Sequence, residues 1–302
     1  MINIPKNIND KGYSQVYQLI EDNIRLETLQ QFIEITPEAV QQVTAFIKKK
    51  YGYDFSNYAF SSFARRLNRV LAKYKIKDIA GILERLENKV FFDLLLTELT
   101  VNTTEFFRDP QFWKLFREKA IPELKTKASI RIWHAGCSTG QEVFSMAILL
   151  KEVGLDHRYE ITATDINDKV LDIGRDGIYP LRHQKQYQEN YELMGGEAHL
   201  SDYYTVEGSK MIFDPTLLNK VNFMTHDLTL EQPLGHTFDL ILSRNVLIYF
   251  NHYLQEKVLQ MYLRHLKKGG ILALGAHESI ATSSLSPKFQ QLFRTQPVYK
   301  LK

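Results

Sequence analysis

The sequence predicts an α/β fold in which a mostly parallel sheet follows a helical N-terminal domain. After residue 130, short apolar runs typical of strands alternate with helical patterns, as in successive βαβ units. Before residue 130, apolar residues recur at helical spacing and no clear strand pattern is present. We therefore expect a helical domain over residues 1–100 and a sheet domain over residues 101–302.

Caps and apolar spacing predict the helices of the first domain. Thr36 before Pro37 has the form of a helix cap followed by a first-turn proline. Phe63 and Leu67 fall on one face of a further helix. The predicted helices cover residues 37–50, 59–74, 78–87 and 89–100.

The second domain shows the alternation of strand and helix in order. The predicted strands are residues 130–134, 159–164, 221–226, 238–243 and 271–276, with edge strands at 292–294 and 297–301. The helices between them include residues 141–153, 167–175 and 253–267. Residues 180–220 lose this rhythm and are too many for an ordinary crossover loop. We expect a small β-subdomain insert there, with a hairpin around Gly195-Gly196 and another turn at Gly208.

The composition is that of a soluble globular protein, with 44% apolar residues, 24% charged residues and a net charge of +3. No run approaches the roughly 18 apolar residues that span a bilayer, and the N-terminus lacks a signal-peptide pattern. The one cysteine, Cys137, fits a reducing compartment. We expect a cytoplasmic protein with no membrane insertion, no nucleic-acid partner and, because no His/Cys pair has ligand spacing, no metal site.

A glycine loop after the first strand is the first candidate site. The strand-like run from residue 130 ends in a loop closed by Gly136 and Gly140, and a helix pattern follows, which is how α/β sheets cradle nucleotide-like cofactors. Asp165 ends the next strand, where an acid can accept from ribose hydroxyls. No lysine follows Gly140, and Glu142 would repel a phosphate, so a cationic or hydroxyl-bearing ligand is favoured. The spacing alone fits an ordinary tight turn equally well.

Polar residues also interrupt two other segments. In LTVNTTEFFRDPQFW, residues 99–113, cap-forming side chains break a helix ahead of Arg108. In FDLILSRNVLIYF, residues 238–250, an apolar strand ends in Arg244 and Asn245. Because ligands of open α/β sheets bind at the carboxyl ends of strands, the position of Arg244 and Asn245 favours a functional role. The alternatives are a plain helix break in the first segment and a packed aromatic at Tyr249 in the second.

The sign of the charge changes along the helical domain, and residues 1–41 contain three basic and six acidic residues. Residues 42–90 contain eleven basic and four acidic residues. Four of the basic residues belong to the helix predicted over residues 59–74 and are expected opposite its apolar face: Arg65, Arg66, Arg69 and Lys73. The pattern fits either a solvated helix face or a docking surface for an acidic partner.

Five segments, in order, resemble the CheR family: NTTEFFRD, RIWHAGCSTGQE, ATDIN, SRNVLIYF and LKKGGILALGAHES. CheR proteins are S-adenosylmethionine-dependent protein-glutamate O-methyltransferases of bacterial chemotaxis. The resemblance runs from about residue 35 to 280. It implies a Rossmann-like methyltransferase sheet with a helical N-terminal domain and a small β-subdomain insert. It also implies S-adenosyl-L-methionine as cofactor and S-adenosyl-L-homocysteine as product.

The resemblance implies the site residues as well. The positions that match the family's cofactor-contacting motifs are Asn102, Thr104, Arg108, Glu142, Asp165, Asp227, Leu228, Arg244 and Asn245. Arg108 and Tyr249 are the expected catalytic residues, with an orienting role towards the incoming carboxylate. The chain departs from the family at Gln141 and Val143, where Glu and Pro are usual, and at Asp227, which places a carboxylate where the family has an asparagine.

The expected reaction is methyl transfer to glutamate side chains of chemoreceptors, for adaptation in chemotaxis. A glutamate with a pKa near 4.3 is ionised at neutral pH, so no general base is required. The expected partner is a chemoreceptor helical bundle that docks on the helix over residues 59–74, and we expect a monomer. Two alternatives remain: a methyltransferase acting on another protein or a small molecule, and a non-catalytic signalling protein that binds S-adenosylmethionine.

Overall fold

The computed structural model describes residues 34–100, 102, 104–230 and 232–302. The chain divides into two compact units, one ending at Thr103 and the other beginning at Thr104. The part of the predicted helical domain before residue 34 lies outside the described residues. None of the helices in the described ranges is long and apolar enough to cross a membrane.

The described part of the first unit is helical, as predicted. Its helices are α1 (Pro37–Tyr51), α2 (Phe60–Lys73), α3 (Ile79–Arg85) and α4 (Lys89–Leu99). The Thr36 side chain caps α1 by accepting from the backbone N–H of Ala39 at 3.3 Å. Apolar side chains from all four helices, including Phe63 and Leu67 of α2, are buried in its core.

The predicted basic face of α2 is wrong in two of its four members. Arg66 is only 6% exposed. It lies about 60° around the helix axis from Phe63, so it borders the apolar stripe instead of opposing it. The Lys73 ammonium lies 3.0 Å from a carboxylate oxygen of fully buried Glu98. Arg65 is exposed and Arg69 is half-buried, so the solvent-facing charge on α2 is smaller than the sequence suggests.

The second unit begins with a helical segment that the sequence pattern did not predict. It consists of α5 (Pro110–Leu115), a π-helical turn (Phe116–Ala120) and α6 (Ile121–Lys125). Both α5 and α6 have a proline in the first turn, where its missing N–H costs no hydrogen bond. The wider π turn between them interrupts the 3.6-residue apolar period that identifies longer helices.

A seven-stranded sheet forms the centre of this unit. Its strands are β1 (Ile130–Ala135), β2 (Tyr159–Asp165), β6 (Val221–Thr225), β7 (Phe238–Ser243), β8 (Leu266–Leu274), β9 (Phe289–Gln291) and β10 (Val298–Leu301). Their order is β6-β2-β1-β7-β8-β10-β9. The first five strands in that order pair in parallel, and β10 is antiparallel to both β8 and β9. The predicted mostly parallel sheet is thus confirmed.

The connecting helices are α7 (Gln141–Glu152), α8 (Asp168–Asp176) and α10 (His252–His265), close to their predicted bounds. The first edge strand was misplaced: it covers residues 289–291, not 292–294, because the residues that follow form the turn before Pro297 and β10. Strand β8 starts five residues early, at Leu266, and its pairing with β7 shifts register near Leu240.

The insert is a small subdomain of mixed structure. Strands β3 (Ile178–Pro180), β4 (Tyr204–Glu207) and β5 (Lys210–Phe213) form a sheet in the order β3-β5-β4. The predicted turn at Gly208 joins β4 to β5. The predicted hairpin at Gly195-Gly196 is wrong, because these glycines end helix α9 (Gln184–Leu193) and their N–H groups bond back to its last turn. Glycine marks helix ends as well as hairpins, so the dipeptide alone was ambiguous.

Candidate active site

The candidate site lies where the strand order reverses. From β1 the chain continues to β2 on one side, and from β7 it continues to β8 on the other, while β1 and β7 are neighbours. Such a switch point opens a crevice at the carboxyl ends of the strands. The segments after β1 and β7 approach closely, so that a Cβ atom added at Gly136 would lie only 2.6 Å from Cγ2 of Val246. Residues after β1, β2, β6 and β7 therefore converge on one edge of the sheet.

The loop from Gly136 to Gly140 is a tight turn fixed by its surroundings. The N–H groups of Gly136 and Cys137 both donate to the carbonyl of Thr164, at 2.8 and 2.9 Å. Gly140 has a φ of +86°, and a Cβ there would lie 2.9 Å from Cα of Gly174. Both glycines are thus required by close packing.

Asp165 holds this loop from the end of β2. Its carboxylate accepts from the N–H of Ser138 at 2.9 Å and from the N–H of Asn167 at 3.1 Å. Burial raises the pKa of Asp165, and the backbone donors act in the opposite direction. A carboxylate has about four acceptor positions, so capacity remains for the hydroxyl groups of a ligand.

Arg244 connects three segments at the end of β7. Its side chain is 1% exposed and forms ion pairs with Asp109 at 2.7 Å and with Glu142 at 3.0 Å. The same guanidinium donates to the carbonyl of Arg108 at 3.2 Å and lies 4.0 Å from the centre of the Phe112 ring. Arg108, Asp109 and the first turn of α7 are therefore tied to the end of β7 through one side chain.

Glu142 is held between two basic side chains. Its Oε1 lies 3.0 Å from Nδ1 of His134, and its Oε2 accepts from Arg244. Because a carboxylate only accepts, Nδ1 of His134 is the donor in this contact. Burial disfavours the charged form of Glu142, but the hydrogen bond from His134 and the charge of Arg244 outweigh it, so its pKa lies below the ordinary value. Glu142 is thus an ionised part of the site wall, and its contact with a cofactor stays a prediction.

The segment after β7 is anchored by Glu278, which is not among the predicted site residues. Glu278 is 6% exposed, and its two carboxylate oxygens accept from the backbone N–H groups of Asn245, Val246, Ile248 and Gly275. Asn245 adopts a left-handed conformation with a φ of +62°. Tyr249 follows in a short 3₁₀ turn and is half-buried. Glu278 belongs to LKKGGILALGAHES, one of the segments that resemble the family, and that membership could have indicated it from the sequence.

Backbone strain is concentrated around the crevice. Within the described ranges, the non-glycine residues with positive φ are Lys75, Phe107, Asp109, Ser138 and Asn245. All except Lys75 belong to the segments that meet Arg244, Asp165 or Glu278. Strained conformations persist where surrounding bonds over-determine them, and they cluster at functional sites.

The end of β6 completes the crevice. The N–H of His226 donates to the carbonyl of Asp165 at 2.9 Å, which brings the next two residues beside the end of β2. Asp227 is buried, and its carboxylate accepts from the N–H of Thr229 at 2.8 Å. Leu228 is half-buried. The carboxylate at position 227 therefore has a structural partner of its own.

Asn102 and Thr104 are not assembled with the other predicted residues by any described bond. Asn102 is the penultimate residue of the first unit, and its amide donates to the carbonyl of Thr97 at 2.9 Å. Thr104 is half-buried at the start of the second unit. Arg108 is half-buried, and its carbonyl is fixed by Arg244.

The residues present fit S-adenosylmethionine. Three buried polar atoms of this region have no hydrogen-bond partner in the part of the chain that the structure describes: Nε2 of His134, Oγ of Ser138 and Nε of Arg244. Together with Asp165, they offer acceptors and donors to a ligand that carries hydroxyl, amino and carboxylate groups. Among the described residues, no group of three or more His, Cys, Asp or Glu side chains is arranged to hold a metal ion.

Comparison with known proteins gives one consistent result. Residues 102–297 match the family described as CheR methyltransferase, SAM binding domain, and residues 38–100 match CheR methyltransferase, all-alpha domain. The chain is 40% identical over 252 residues to Cher3 of Pseudomonas putida, covering 83% of this chain and 92% of that protein. It is 32% identical over 287 residues to chemotaxis protein methyltransferase 1 of Vibrio cholerae, covering 89% and 99%.

Proposed function

The chain belongs to the CheR methyltransferase family, and we propose that it transfers the methyl group of S-adenosylmethionine to glutamate side chains of chemoreceptors. It is an S-adenosylmethionine-dependent methyltransferase of chemotaxis. The proposal adds the chemical identity of the acceptor, a carboxylate, and the residues that orient it. Because the chain is a methyltransferase, the predicted alternative of a non-catalytic cofactor-binding protein is not retained.

Bound S-adenosylmethionine supplies a sulfonium-activated methyl group. The acceptor carboxylate is already ionised near neutral pH, so the chain has no proton to remove. The work of its residues is to place the carboxylate in line with the methyl group and to exclude water. No group acting as a general base is required, which agrees with the roles of the site carboxylates: Glu142 is paired with Arg244, and Asp165 is bonded to backbone N–H groups.

The observation that carries the proposal is the fixed position of Arg108. Arg244 donates to the Arg108 carbonyl, and the neighbours of Arg108 on both sides have positive φ values. We propose that this strained turn presents the Arg108 guanidinium to the incoming carboxylate, which it orients by charge-assisted hydrogen bonds. Tyr249, in the turn anchored by Glu278, orients the same carboxylate from the other segment.

The residues that hold the cofactor are proposed from the same geometry. Asp165 accepts from the ribose hydroxyls, and Asn245 and the Asp227–Leu228 pair line the crevice beside it. Arg244 and Glu142 act on the cofactor chiefly by fixing the loop after β1 and the turn at Arg108. Asn102 and Thr104 keep the role that the family resemblance implies for them.

The partner is proposed to be the helical cytoplasmic part of a chemoreceptor, docked on the basic surface of the first unit through Arg65 of α2. The reaction accordingly takes place in the cytoplasm. The support for this is the family membership and the exposed basic residues of that unit; Arg65 and Lys75 are among them.

Incubation with methyl-labelled S-adenosylmethionine and a receptor fragment tests the acceptor. We expect label in the fragment that is released as methanol by mild base, because a carboxylate ester is base-labile and an N-methyl group is not. A receptor fragment whose acceptor glutamates are changed to alanine should remain unlabelled. Base-stable label, or label in a small molecule instead of the fragment, would assign the chain to another acceptor class.

A further inference from the structure

We infer that Glu278 is the positioning residue that fixes Asn245 and Tyr249 for cofactor binding and methyl transfer. The inference rests on the proposed function for the roles of these two residues. Its own basis is a buried carboxylate just after β8 that accepts from three backbone N–H groups of the segment after β7 and from the N–H of Gly275.

The four hydrogen bonds are divided evenly between the two oxygens. Oε2 accepts from Asn245 at 2.9 Å and from Gly275 at 2.6 Å, and Oε1 accepts from Val246 at 2.8 Å and from Ile248 at 3.3 Å. The end of β7 and the end of β8 are therefore joined by one side chain. Because β7 and β8 are neighbours in the sheet, the carboxylate closes the gap just beyond their last paired residues.

Only a carboxylate of this length satisfies the arrangement. All four partners are N–H donors, so each oxygen must accept twice. A glutamine would direct its own NH₂ group at two of these donors, and an aspartate would be one methylene too short. Burial raises the pKa of Glu278, and the N–H groups of the two segments act against that rise. Position 275 also has no room for a side chain, since a Cβ on Gly275 would lie 2.8 Å from Oε2 of Glu278.

The bonds determine the conformation of the segment that carries the site residues. Asn245 has a φ of +62°, which costs free energy unless its neighbours hold it. The Glu278 carboxylate accepts a hydrogen bond from the N–H of Asn245. It also accepts one from the N–H of Ile248, inside the 3₁₀ turn that ends at Tyr249. Loss of the carboxylate leaves these donors buried without an acceptor, so the segment is expected to relax and to displace both side chains.

The test compares E278Q with D239N. Asp239 is a matched control: it is a buried carboxylate on β7 that accepts from the N–H of Arg131, but it lies at the opposite end of the strand. Both variants are expected to lower the melting temperature. At a temperature where both are folded by circular dichroism, we expect E278Q to weaken S-adenosylmethionine binding by about tenfold in calorimetry and to lower kcat at saturating cofactor. D239N should retain wild-type values for both.

A second variant perturbs the same contact and keeps the carboxylate. G275A brings a methyl group against Oε2 and the Asn245 N–H, so it should reproduce the loss of affinity and of kcat. Equal activity losses in E278Q and D239N, or wild-type affinity in E278Q, would overturn the positioning role. Cofactor binding is measured without an acceptor, so a wild-type protein that binds S-adenosylmethionine but forms no glutamyl ester would refute the proposed acceptor and leave this inference standing.

Discussion

At the scale of single residues, the sequence indicates which side chains belong to the site but not which of them bond to one another. Glu142 and Arg244 were predicted as separate cofactor contacts, yet they form an ion pair across 102 positions of sequence. Asp109, 135 positions from Arg244, was not singled out although it forms the shorter of the two bonds. Such pairings arise from the order of strands in the sheet, which local patterns do not encode.

The Arg244 network yields a prediction for a conservative substitution. Arg244→Lys retains the charge, but a single ammonium cannot reproduce the planar set of bonds to Asp109, Glu142 and the Arg108 carbonyl. We expect S-adenosylmethionine affinity to fall about tenfold, equivalent to about 1.4 kcal/mol, when measured by calorimetry.

Arg131→Lys is the control for that substitution. Arg131 pairs with Glu160 at 3.4 Å, and both side chains are largely exposed, so the pair contributes little. Its replacement should change neither cofactor affinity nor the melting temperature. If Arg244→Lys also binds the cofactor with wild-type affinity, then the ion pairs do not organise the crevice.

At the scale of elements, the periodic helices and strands were predicted within a few residues and the irregular segments were not. Strand β2 and helix α7 have strong apolar patterns and lie where expected. The π-helical turn and the strand at residues 289–291 were missed or misplaced because hydrogen bonding to neighbours defines them more than side-chain period does. The segment between β6 and β7 is a further irregular element, and two histidines hold it.

These histidines predict how stability depends on pH. His226 Nε2 lies 3.2 Å from the carbonyl of Gln232, and Nε2 of His265 accepts from the N–H of Leu234 at 3.2 Å. Burial lowers the pKa of His226; the Gln232 carbonyl and Asp227 act against this, and nearby His265 adds to it. The folded state therefore binds the proton less readily than the unfolded state. The contribution of neutral His226 to the free energy of unfolding is therefore complete above the ordinary histidine pKa of about 6.5, and it is lost as the pH falls below that value.

Urea unfolding between pH 5 and pH 8 measures this effect. We expect the unfolding midpoint of the wild type to fall towards pH 5 and the fall to be smaller in His226→Asn, which cannot take up the proton. His157→Asn is the matched control, because the His157 side chain is 70% exposed and its replacement should leave the pH dependence as in the wild type. A wild-type slope in His226→Asn would remove this histidine as its source.

At the scale of the whole molecule, the sequence predicted the α/β class, the helical start and the inserted subdomain because each has its own repeating pattern. The sequence did not predict the distribution of charge. Residues 42–90 carry an excess of basic residues, but Arg66 is buried beside the apolar stripe of α2 and Lys73 is paired with buried Glu98. The helical angle already separates these residues, because Arg66 lies about 60° from Phe63 whereas Arg65 lies on the far side of the helix.

Exposed charge on α2 predicts the outcome of a charge reversal at Arg65. If an acidic receptor surface docks on this helix, Arg65→Glu replaces attraction with repulsion, and KM for the receptor fragment should rise about tenfold at low salt. The affinity for S-adenosylmethionine should be unchanged, and the defect should shrink as added salt screens the interaction.

Lys288→Glu is the control, because it reverses an exposed charge in the second unit. Arg66→Glu would instead place an acid in the core and report on folding. An unchanged KM in Arg65→Glu, or equal effects of Arg65→Glu and Lys288→Glu, would move the docking surface away from α2.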